Sequence, residues 1–572
     1  MYRLSHQTGG VRINTHRFIS LLFAAIFTFA AVLTAGAQAL TPDQTAKIDT
    51  IFAGFNSTQT PGVALAVVRD GDIIHSHACG MASLELGVPN TTRTVFRVGS
   101  ISKQFTAACI VMLALEGKLS LEDKLVKYVP DLPSKFYGAI TIRQLLNHTS
   151  GIRDAEAMYP LMDIDYSQWY TDDMFKKMLK RQHGLSFPAG EGFEYSNSAF
   201  TLLAAVVDTL SGQPFEDFAA DKIFKPLGMT QTHIQTGVRT MIPDRAAGYY
   251  KRSDGTFENW MTNNQLIGHD ALYSSVEDLT RWVKALTGGV WQPGLFEAMT
   301  EPGVMKDGTV NQYASGLTVF KYRGLNLVAH NGWYVGYVGT LMMFHDEDFA
   351  VILLANQGNY GTQKTCMEIA DILLVDRFAE IENNASYRKG LTDNRFNKGV
   401  PDSLTGRYLG IDLGMFITFE SIGEQPGLRA GGNLYEPSPY APNELINHHS
   451  NQRIIFPEKP VEDNRVIFRM KSAYVDYGRY IRFTELPVDM DELGRYTGIY
   501  RSDELGIDGI ISEQEGKLVV TVGKESGTLS RFEKERFASG WAAFTFTTKR
   551  GSKINGFRMD CFGVQGIRFE KQ

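Results

Sequence analysis

The sequence predicts a multidomain protein in which a mixed α/β part, over about residues 45–380, is followed by two copies of an antiparallel all-β unit. Three observations predict this order. Helical and strand-like apolar patterns both occur in the first part, a polar stretch from Glu382 to Pro401 follows it, and short sequence matches recur at nearly one offset in the rest. A chain of 572 residues is long enough for about three domains.

The first part contains segments of both periodicities. After Ser100, apolar residues stand at helical spacing through Leu115, which predicts an amphipathic helix. A second apolar helix is predicted from about Ala199 to Leu210. The run from Phe349 to Leu354 is typical of a strand, and the segment from Cys366 to Phe378 predicts a helix that closes this part.

The last part of the chain repeats itself. Three short segments have counterparts that follow in the same order: Gly406–Gly410 with Gly494–Gly498, Phe468–Met470 with Phe557–Met559, and Ile481–Phe483 with Ile567–Phe569. The matches predict two copies of one unit made of short alternating strands. An antiparallel barrel or a small sandwich would close such strands without leaving exposed edges.

The amino terminus predicts export. Three arginines precede an apolar run from Phe18 to Leu33, no acidic residue appears before Asp43, and Ala37-Gln38-Ala39 is a small-x-small cleavage site. We expect a signal peptide removed before Leu40 and a periplasmic or secreted protein, with an uncleaved membrane anchor as the rival interpretation. The predicted segments are the signal peptide (1–39), an α/β domain (40–385), a linker (386–402) and two β-barrel domains (403–487 and 488–572).

Composition narrows the classes of partner. The net charge is −6, and removal of the three arginines with the signal makes the remainder more acidic, which argues against polyanionic partners. The four cysteines have no C-x-x-C spacing, and no H-E-x-x-H or phosphate-binding glycine loop is present. We therefore predict no metal and no cofactor, a small-molecule or peptide substrate and no nucleic acid; the oligomeric state stays open.

Ser100-Ile101-Ser102-Lys103 carries the chemistry. Residues three apart share one face of a helix, so the Lys103 amine can reach the Ser100 hydroxyl, whereas Ser102 lies on another face. A serine at a helix start also lies beside free backbone N–H groups, which can hold an oxyanion. No G-x-S-x-G occurs, which disfavours a nucleophile-elbow hydrolase.

Two further motifs follow in order, Tyr195-Ser196-Asn197 and His330-Asn331-Gly332. With S-x-x-K they resemble the three elements of penicillin-recognising serine hydrolases, in the class C β-lactamase-like branch. The resemblance covers about residues 45–380 and includes three flanking segments: Leu145–Ile152, Pro226–Thr230 and Ser274–Leu279. It implies a β-lactamase/transpeptidase-like α/β (α+β) fold with a central antiparallel sheet flanked by helices. The two later domains then resemble the lipocalin-like barrels of D-aminopeptidases.

The resemblance implies a role for each motif residue. Ser100 attacks a carbonyl and forms an acyl-enzyme, and neutral Lys103 or the Tyr195 phenolate takes the hydroxyl proton. Tyr195 is expected to protonate the leaving group, and Asn197 to hydrogen-bond the substrate. The oxyanion would lie between the backbone N–H groups of Ser100 and Trp333.

His330 and Gly332 complete the predicted substrate site, and His330 stands where many relatives have a lysine. A histidine near neutrality is mostly uncharged, so it offers a hydrogen bond rather than a fixed charge for a substrate carboxylate. This favours a D-aminopeptidase, amidase or esterase. The alternatives are a β-lactamase or D-alanyl-D-alanine carboxypeptidase, and an acylated sensor or binding protein without turnover.

Two charged turns in the last domain are further candidates for substrate binding. Ser502-Asp503-Glu504 could bind a substrate ammonium, and the basic segment from Lys549 to Lys553 could bind an acid. Solvated hairpin tips are the simpler interpretation of both. His148 is expected to have a structural role in its turn.

Overall fold

A six-stranded antiparallel sheet forms the centre of the first domain, in the order β10-β11-β12-β13-β1-β2. The strands of this domain are β1 (Val63–Arg69), β2 (Asp72–Cys79), β3 (Met81–Ser83), β4 (Val88–Pro89), β5 (Phe96–Arg97), β6 (His233–Ile234), β7 (Tyr249–Lys251), β8 (Phe257–Asn259), β9 (Leu272–Ser274), β10 (Thr318–Tyr322), β11 (Leu325–Tyr334), β12 (Tyr337–Phe344) and β13 (Phe349–Ala355). The computed structural model describes residues 39–55, 57–165, 168, 170–382, 394–430, 433–441, 443–447, 452–457, 466–471, 476–549 and 553–572.

Helices cover both faces of the sheet. They are α1 (Pro42–Ile51), α2 (Ser102–Leu115), α3 (Ser134–Tyr137), α4 (Ile142–Leu146), α5 (Ala155–Met158), α6 (Asp172–Arg181), α7 (Asn197–Ser211), α8 (Phe215–Ala219), α9 (Val276–Thr287), α10 (Leu295–Thr300), α11 (Thr362–Leu373) and α12 (Val375–Glu382). Within the described residues, no helix is both long enough and apolar enough to cross a membrane. The predicted signal peptide lies outside the described residues except for its last residue, Ala39.

The central strands are apolar on both sides because both sides are covered. Along β1, Ala64, Ala66 and Val68 pack into the core that contains α2, while the alternate residues pack into the core that contains α1 and α11. Helix α2 is buried from Ser102 to Leu113. The predicted helix is therefore present, but it is enclosed on all sides rather than amphipathic.

Two β-domains follow, and their strand orders are the same. The first contains β14 (Gly406–Gly410), β15 (Phe416–Ile422), β16 (Gln425–Ala430), β17 (Asn433–Tyr435), β18 (Ser438–Ala441), β19 (Glu444–Asn447), β20 (Gln452–Ile455), β21 (Val466–Lys471) and β22 (Asp476–Arg482). After α13 (Met490–Tyr496), the second contains β23 (Gly498–Ser502), β24 (Ile507–Gln514), β25 (Lys517–Val522), β26 (Glu525–Thr528), β27 (Ser530–Glu533), β28 (Arg536–Ala538), β29 (Ala542–Thr548), β30 (Ile554–Cys561) and β31 (Val564–Lys571). Each is a nine-stranded antiparallel sheet whose first strand pairs with its last, which confirms the predicted pair of all-β domains.

The repeat is present, but two of the three sequence matches are out of register. Tyr408 on β14 pairs with Arg482, and its structural counterpart Tyr500 on β23 pairs with Lys571. The hydroxyl of each of these tyrosines donates a hydrogen bond to the backbone carbonyl four residues earlier. The identical residues predicted that Tyr408 corresponds to Tyr496. In the structure it corresponds to Tyr500 instead.

The carboxyl-terminal match is displaced as well. The stacked pair Phe468–Tyr480, with ring centroids 5.0 Å apart, corresponds to the stacked pair Phe557–Phe569 at 4.6 Å. Phe569 thus corresponds to Tyr480 rather than to Phe483. Stacking and cross-strand pairing preserve the aromatic positions of the repeat, whereas the short identical stretches slip along the strands.

The second β-domain packs firmly against the α/β domain. One hydrophobic cluster contains core residues of both, and the Arg153 and Glu504 side chains form an ion pair of 2.6 Å at 3% and 1% exposure. The predicted domain boundaries stay a prediction. Residues 386–393 of the predicted linker lie outside the described residues, while Phe396 and Val400 belong to the core of the first β-domain.

Candidate active site

Ser100 lies in a tight 3₁₀ turn, Gly99–Ile101, that leads directly into α2. Strand β11 passes so close to this turn that side chains are excluded at two positions. A Cβ on Gly99, whose φ is +55°, would lie 2.6 Å from the Trp333 backbone nitrogen, and a Cβ on Gly332 would lie 1.8 Å from the Val98 carbonyl oxygen. The two glycines thus bring the backbone of Trp333 beside Ser100.

Lys103 is fully buried one turn along the chain from Ser100. Its Nζ lies 3.0 Å from Ser100 Oγ and also donates to Asn197 Oδ1 at 2.7 Å and to the His269 carbonyl at 3.0 Å. Burial lowers the pKa of Lys103 to about 8, against the opposing effect of nearby carboxylates. The two ends of the S-x-x-K motif are therefore in contact: a serine hydroxyl and a lysine amine whose pKa is lowered.

Ser102 is engaged elsewhere. Its hydroxyl donates to the Gly99 carbonyl at 2.6 Å and accepts from the Leu272 N–H at 3.3 Å, and the residue is 3% exposed. It therefore stabilises the 3₁₀ turn and is not among the residues that line the cleft.

Tyr195 and Asn197 flank the start of α7. Ser196 caps this helix, because its Oγ accepts from the Ala199 N–H at 3.2 Å. Lys103 Nζ lies 4.8 Å from the centre of the Tyr195 ring, and the Asn197 amide bonds Lys103 directly. The second motif therefore meets the first at the lysine.

His148 holds this loop in place. It has a left-handed backbone (φ +56°), its Nδ1 accepts from the Ser196 N–H at 3.1 Å, and its ring packs 4.3 Å from that of Tyr195. Burial and the charge of Lys103 lower the pKa of His148 well below its usual value, so the ring is neutral. These contacts fit the structural role predicted for it.

His330 is fully buried at the edge of the site, and both of its ring nitrogens are engaged within the protein. Nε2 lies 2.8 Å from Tyr313 Oη, and Nδ1 lies 2.6 Å from the Asn331 carbonyl oxygen, to which it donates. Burial and the charge of Lys103 lower the pKa of His330 to about 3. The absence of a fixed charge here matches the expectation, but both ring nitrogens already have partners within the protein.

Several residues that the sequence did not indicate organise the site, and Glu156 is central among them. Its Oε1 accepts from His269 at 3.0 Å, Asn264 at 3.0 Å and Tyr334 at 2.9 Å, and its Oε2 accepts from Asn197 Nδ2 at 3.0 Å. Glu156 thereby orients Asn197, which in turn contacts the lysine. The only sequence signal was its position just after the family-like segment Leu145–Ile152.

Asp154 lies beside Glu156. Its side chain caps α5 by accepting from the Glu156 N–H at 3.2 Å and accepts from Asn197 Nδ2 at 3.0 Å. Burial and the neighbouring Glu156 raise the pKa of Asp154 to about 6. At neutral pH Asp154 is therefore mostly ionised, next to Glu156 and one buried lysine.

A buried ion pair supports the floor of the site. The Arg97 Nε and Nη2 groups donate to Asp270 Oδ2 at 2.9 and 2.5 Å, and the guanidinium lies 4.4 Å from the centre of the Tyr334 ring. Asp270 follows His269, whose carbonyl accepts from Lys103. The pair therefore fixes the segment that holds the lysine.

These groups line an open cleft of about 350 Å³. Its lining residues are Ser100, Asp154, Glu156, Tyr195, Asn197, His269, His330, Asn331, Trp333 and Tyr334. Trp333 is 44% exposed and forms part of the rim. All seven predicted site residues are therefore at or beside one cleft, with Lys103 and Gly332 just behind its wall.

Among the described residues that line this cleft, none belongs to the acidic turn Ser502–Glu504. Glu504 is buried in its ion pair with Arg153, so its carboxylate is not available to a substrate ammonium, and that expectation is wrong. The basic segment Lys549–Lys553 lies partly outside the described residues, at 550–552.

Comparison with known proteins settles the family. The sequence profile of the Beta-lactamase family, described as "Beta-lactamase", matches residues 45–373. The chain belongs to this family. The predicted resemblance and the predicted fold class are thus confirmed, and the relatives support the class of serine hydrolases.

Three relatives are informative. The D-aminopeptidase of Brucella anthropi is 26% identical over 368 residues, which cover 64% of this chain and 66% of that protein. Penicillin-binding protein 4* of Bacillus subtilis (strain 168) is 29% identical over 372 residues, covering 62% and 79%. The octameric penicillin-binding protein homologue of Pyrococcus abyssi has a TM-score of 0.52 at 20% identity and covers 84% of this chain and 99% of its own. The chain spans just under two thirds of the first relative, and the third shows similarity of fold alone.

Proposed function

We propose that the protein is an exported serine hydrolase that releases an amine or alcohol from substrates with a free amino group, through an acyl-enzyme on Ser100. A D-aminopeptidase or D-amino acid amidase is the favoured activity, and the D-aminopeptidase relatives support it. The observation that carries the proposal is the pair of carboxylates, Asp154 and Glu156, in the same cleft as Ser100.

The first step is proton transfer from Ser100 to Lys103. Lys103 Nζ is 3.0 Å from Oγ, and its lowered pKa leaves a useful fraction neutral near pH 7. As Oγ bonds to the substrate carbonyl carbon, its proton passes to Lys103 and the carbonyl oxygen becomes an oxyanion. The backbone N–H groups of Ser100 and Trp333 are proposed to stabilise that oxyanion, because Gly99 and Gly332 allow their close approach.

The intermediate then collapses. Tyr195 is proposed to deliver a proton to the leaving nitrogen or oxygen as its bond to the carbonyl carbon breaks, which leaves the acyl group on Ser100. Lys103 then passes the Ser100 proton to Tyr195, which restores both groups. Water loses a proton to the neutral Lys103 and attacks the ester carbon, and Lys103 returns this proton to Ser100 Oγ as the ester bond breaks and the acid leaves. Asn197 positions Lys103 and the substrate amide.

The charge of the cleft favours an ammonium-bearing substrate. Asp154 is ionised above about pH 6, and each of its oxygens keeps an acceptor position beyond its one bond inside the protein. A β-lactam or a D-alanyl-D-alanine terminus would instead bring a carboxylate to a site with two acids and an uncharged His330. The same argument disfavours the β-lactamase and carboxypeptidase alternatives.

A substrate panel tests the proposal. We expect turnover of D-alanine p-nitroanilide, weaker turnover of its N-acetyl derivative, and little or none of a chromogenic cephalosporin. A fluorophosphonate should label the wild type and the Ser102→Ala variant but not Ser100→Ala. Labelling that survives in Ser100→Ala would contradict the assignment of the nucleophile, and labelling without turnover would favour a sensor.

Asp154→Asn tests the recognition of the amine. The variant should lower kcat/KM for the free amine by about tenfold more than for the N-acetyl substrate, because only the former brings a cation, whereas the loss of the bond to Asn197 affects both substrates. Glu277→Gln, a surface carboxylate paired with Arg93 at 3.6 Å, is the matched control. Equal losses on both substrates would assign Asp154 to positioning of Asn197 alone.

Export is proposed separately. Amino-terminal sequencing of the protein from a periplasmic or secreted fraction should begin at Leu40. Recovery of the full-length chain in the membrane fraction would favour the uncleaved membrane anchor.

Esterase activity is a separate question. Assays with simple p-nitrophenyl esters would show whether it accompanies amide cleavage.

A further inference from the structure

A second, apolar cavity adjoins the catalytic cleft. It has a volume of about 390 Å³ and shares Asp154 and Tyr195 with the cleft. Its remaining walls come mostly from the β-domains: Leu413 and Met415 of the first, and Gly540, Trp541, Phe562 and Gly563 of the second, with Glu194 at the edge. All three domains therefore meet at this cavity.

Two aromatic side chains at hairpin tips form its outer wall. Trp541 stands in the turn between β28 and β29, and Phe562 stands in the turn between β30 and β31. Their rings stack with centroids 6.1 Å apart and planes 17° apart. Tyr195, which the proposed mechanism makes the proton donor to the leaving group, lines the same cavity.

The backbone conformation of Phe562 is unfavourable for an aromatic residue. The two residues of its hairpin loop, Phe562 and Gly563, both have positive φ, +49° and +83°. Glycine, asparagine and aspartate are favoured at such positions, and a bulky aromatic residue is an outlier there. Phe562 is nevertheless 44% exposed, so the fold gains little packing in exchange. Strain of this kind is a reason to look for function.

The turns around the cavity are pinned. A Cβ on Gly563 would lie 1.9 Å from Glu194 Oε1, so this turn sits directly on the loop that leads to Tyr195. A Cβ on Gly414 would lie 2.1 Å from the Ala542 backbone carbon, so the turn of the first β-domain that carries Leu413 and Met415 is pressed against the second. These close contacts therefore fix the cavity wall relative to the Tyr195 loop.

We infer that this cavity is a substrate subsite for a large apolar group, aromatic or branched aliphatic, with Trp541 and Phe562 as its specificity-determining residues. The inference rests on the proposed hydrolase function, because the group must belong to a molecule held at Ser100. An apolar lining next to a polar cleft discriminates by the apolar area that a bound group buries. The group belongs either to the acyl part or to the leaving part, and the test below separates the two.

Two series of amides test the inference. One contains D-alanine amides of methylamine, butylamine and benzylamine, and the other contains the primary amides of D-alanine, D-leucine and D-phenylalanine. In Trp541→Ala and Phe562→Asn, we expect kcat/KM for the largest member of one series to fall by about 10- to 100-fold, and that for the smallest member to change less than about threefold. The series that responds identifies the part of the substrate.

The chain offers a matched control. Glu515 occupies the equivalent position of the β24–β25 hairpin, with φ +52° at Glu515 and +74° at Gly516, and does not line the cavity. Both Phe562→Asn and Glu515→Asn should raise the midpoint of thermal unfolding, because asparagine tolerates the left-handed backbone. Only Phe562→Asn should alter specificity. Equal kinetic effects of the two variants, or equal losses for small and large groups, would overturn the inference.

Binding without turnover separates this inference from the proposed function. Calorimetry on Ser100→Ala should show the same preference for large apolar amides, and that preference should disappear in Ser100→Ala/Trp541→Ala. If Ser100 proves not to be the nucleophile while the binding preference persists, the hydrolase mechanism fails and the apolar site stands. If neither series binds better with increasing apolar size, the site itself is refuted.

Discussion

The pKa of Lys103 makes a quantitative prediction about the pH dependence of the reaction. Burial lowers this pKa from 10.5 to about 8. At pH 7 about one lysine in ten is then neutral, instead of about one in three thousand, so the structure increases the fraction of competent base roughly 300-fold. For a substrate whose own charge does not change with pH, we expect kcat/KM to rise with pH to a plateau, with an apparent pKa of about 8. A free-amine substrate would titrate in the same range.

Glu156 supplies the perturbation. Its negative charge is the largest influence that keeps Lys103 protonated, and it acts against burial. Glu156→Gln should therefore lower the pKa of Lys103 further and move the rising limb to lower pH, although the plateau should fall because Asn197 loses a hydrogen-bond acceptor. The measurement is kcat/KM for N-acetyl-D-alanine p-nitroanilide between pH 5.5 and 10, because this substrate does not change its charge in that range, with Glu277→Gln as control.

Three results would refute the reasoning. A wild-type limb near pH 10 would mean that burial does not activate the lysine. A limb that moves to higher pH in Glu156→Gln would mean that the titrating group is not a cation stabilised by this carboxylate. Residual activity of Tyr195→Phe that lacks the limb near pH 8 would assign the titration to Tyr195 rather than to Lys103.

Three further predictions follow from packing and charge. Gly99→Ala should lower kcat/KM by about 100-fold, because the new Cβ displaces the Trp333 backbone from the site; labelling by a small fluorophosphonate at the wild-type rate would contradict this. Glu504→Gln should reduce the free energy of unfolding in urea by about 3 kcal/mol, because it leaves the buried Arg153 guanidinium without its partner, and a loss below about 1 kcal/mol would show that water reaches the pair. Between about pH 8 and 10.5, Lys103 binds fewer protons in the folded state than in the unfolded state. The free energy of unfolding of the wild type should therefore rise by about 3 kcal/mol over that interval relative to that of Lys103→Met. Parallel plots of unfolding free energy against pH for the two proteins would disprove the lowered pKa.

The sequence predicted the part of the site that local geometry fixes. Ser100 and Lys103 are three residues apart on one turn, and Tyr195 and Asn197 flank a helix start, so short motifs are enough to find them. Glu156 lies on the short helix α5, and His269 lies in a loop 113 residues later, so the two meet only in the folded chain. No periodicity or spacing connects such residues, and they were missed.

The repeated β-domains show the same difference between what local sequence predicts and what only tertiary contacts decide. Two all-β domains were predicted from short identical stretches, and both are present. The register was wrong at two of three matches, because the structure preserves the tyrosine that pairs with the last strand, at Tyr408 and Tyr500, rather than identical neighbours. Identity in a β-repeat indicates that strands recur, whereas cross-strand contacts decide which residues correspond.

The turn Ser502–Glu504 illustrates what composition alone cannot distinguish. An acidic turn in a strand-rich domain is usually exposed, and the sequence offered either solvent or substrate as the partner of Glu504. The structure instead places its carboxylate against Arg153 of another domain. Because the two residues lie 351 positions apart, only the tertiary fold brings the charges together.

Together, the proposed mechanism and the proposed subsite assign reactivity and selectivity to different domains. The α/β domain supplies every group that the proposed mechanism uses to break bonds, whereas the β-domains supply most of the apolar wall beside Tyr195. A strained residue such as Phe562 persists only where its surroundings hold it, and the Arg153–Glu504 pair and the shared hydrophobic core provide that restraint. Substitutions in the wall should therefore change which substrates are cleaved while Ser100 stays reactive. Weakening the domain interface should loosen selectivity before it abolishes chemistry, because the wall depends on the interface and the Ser100–Lys103 turn does not.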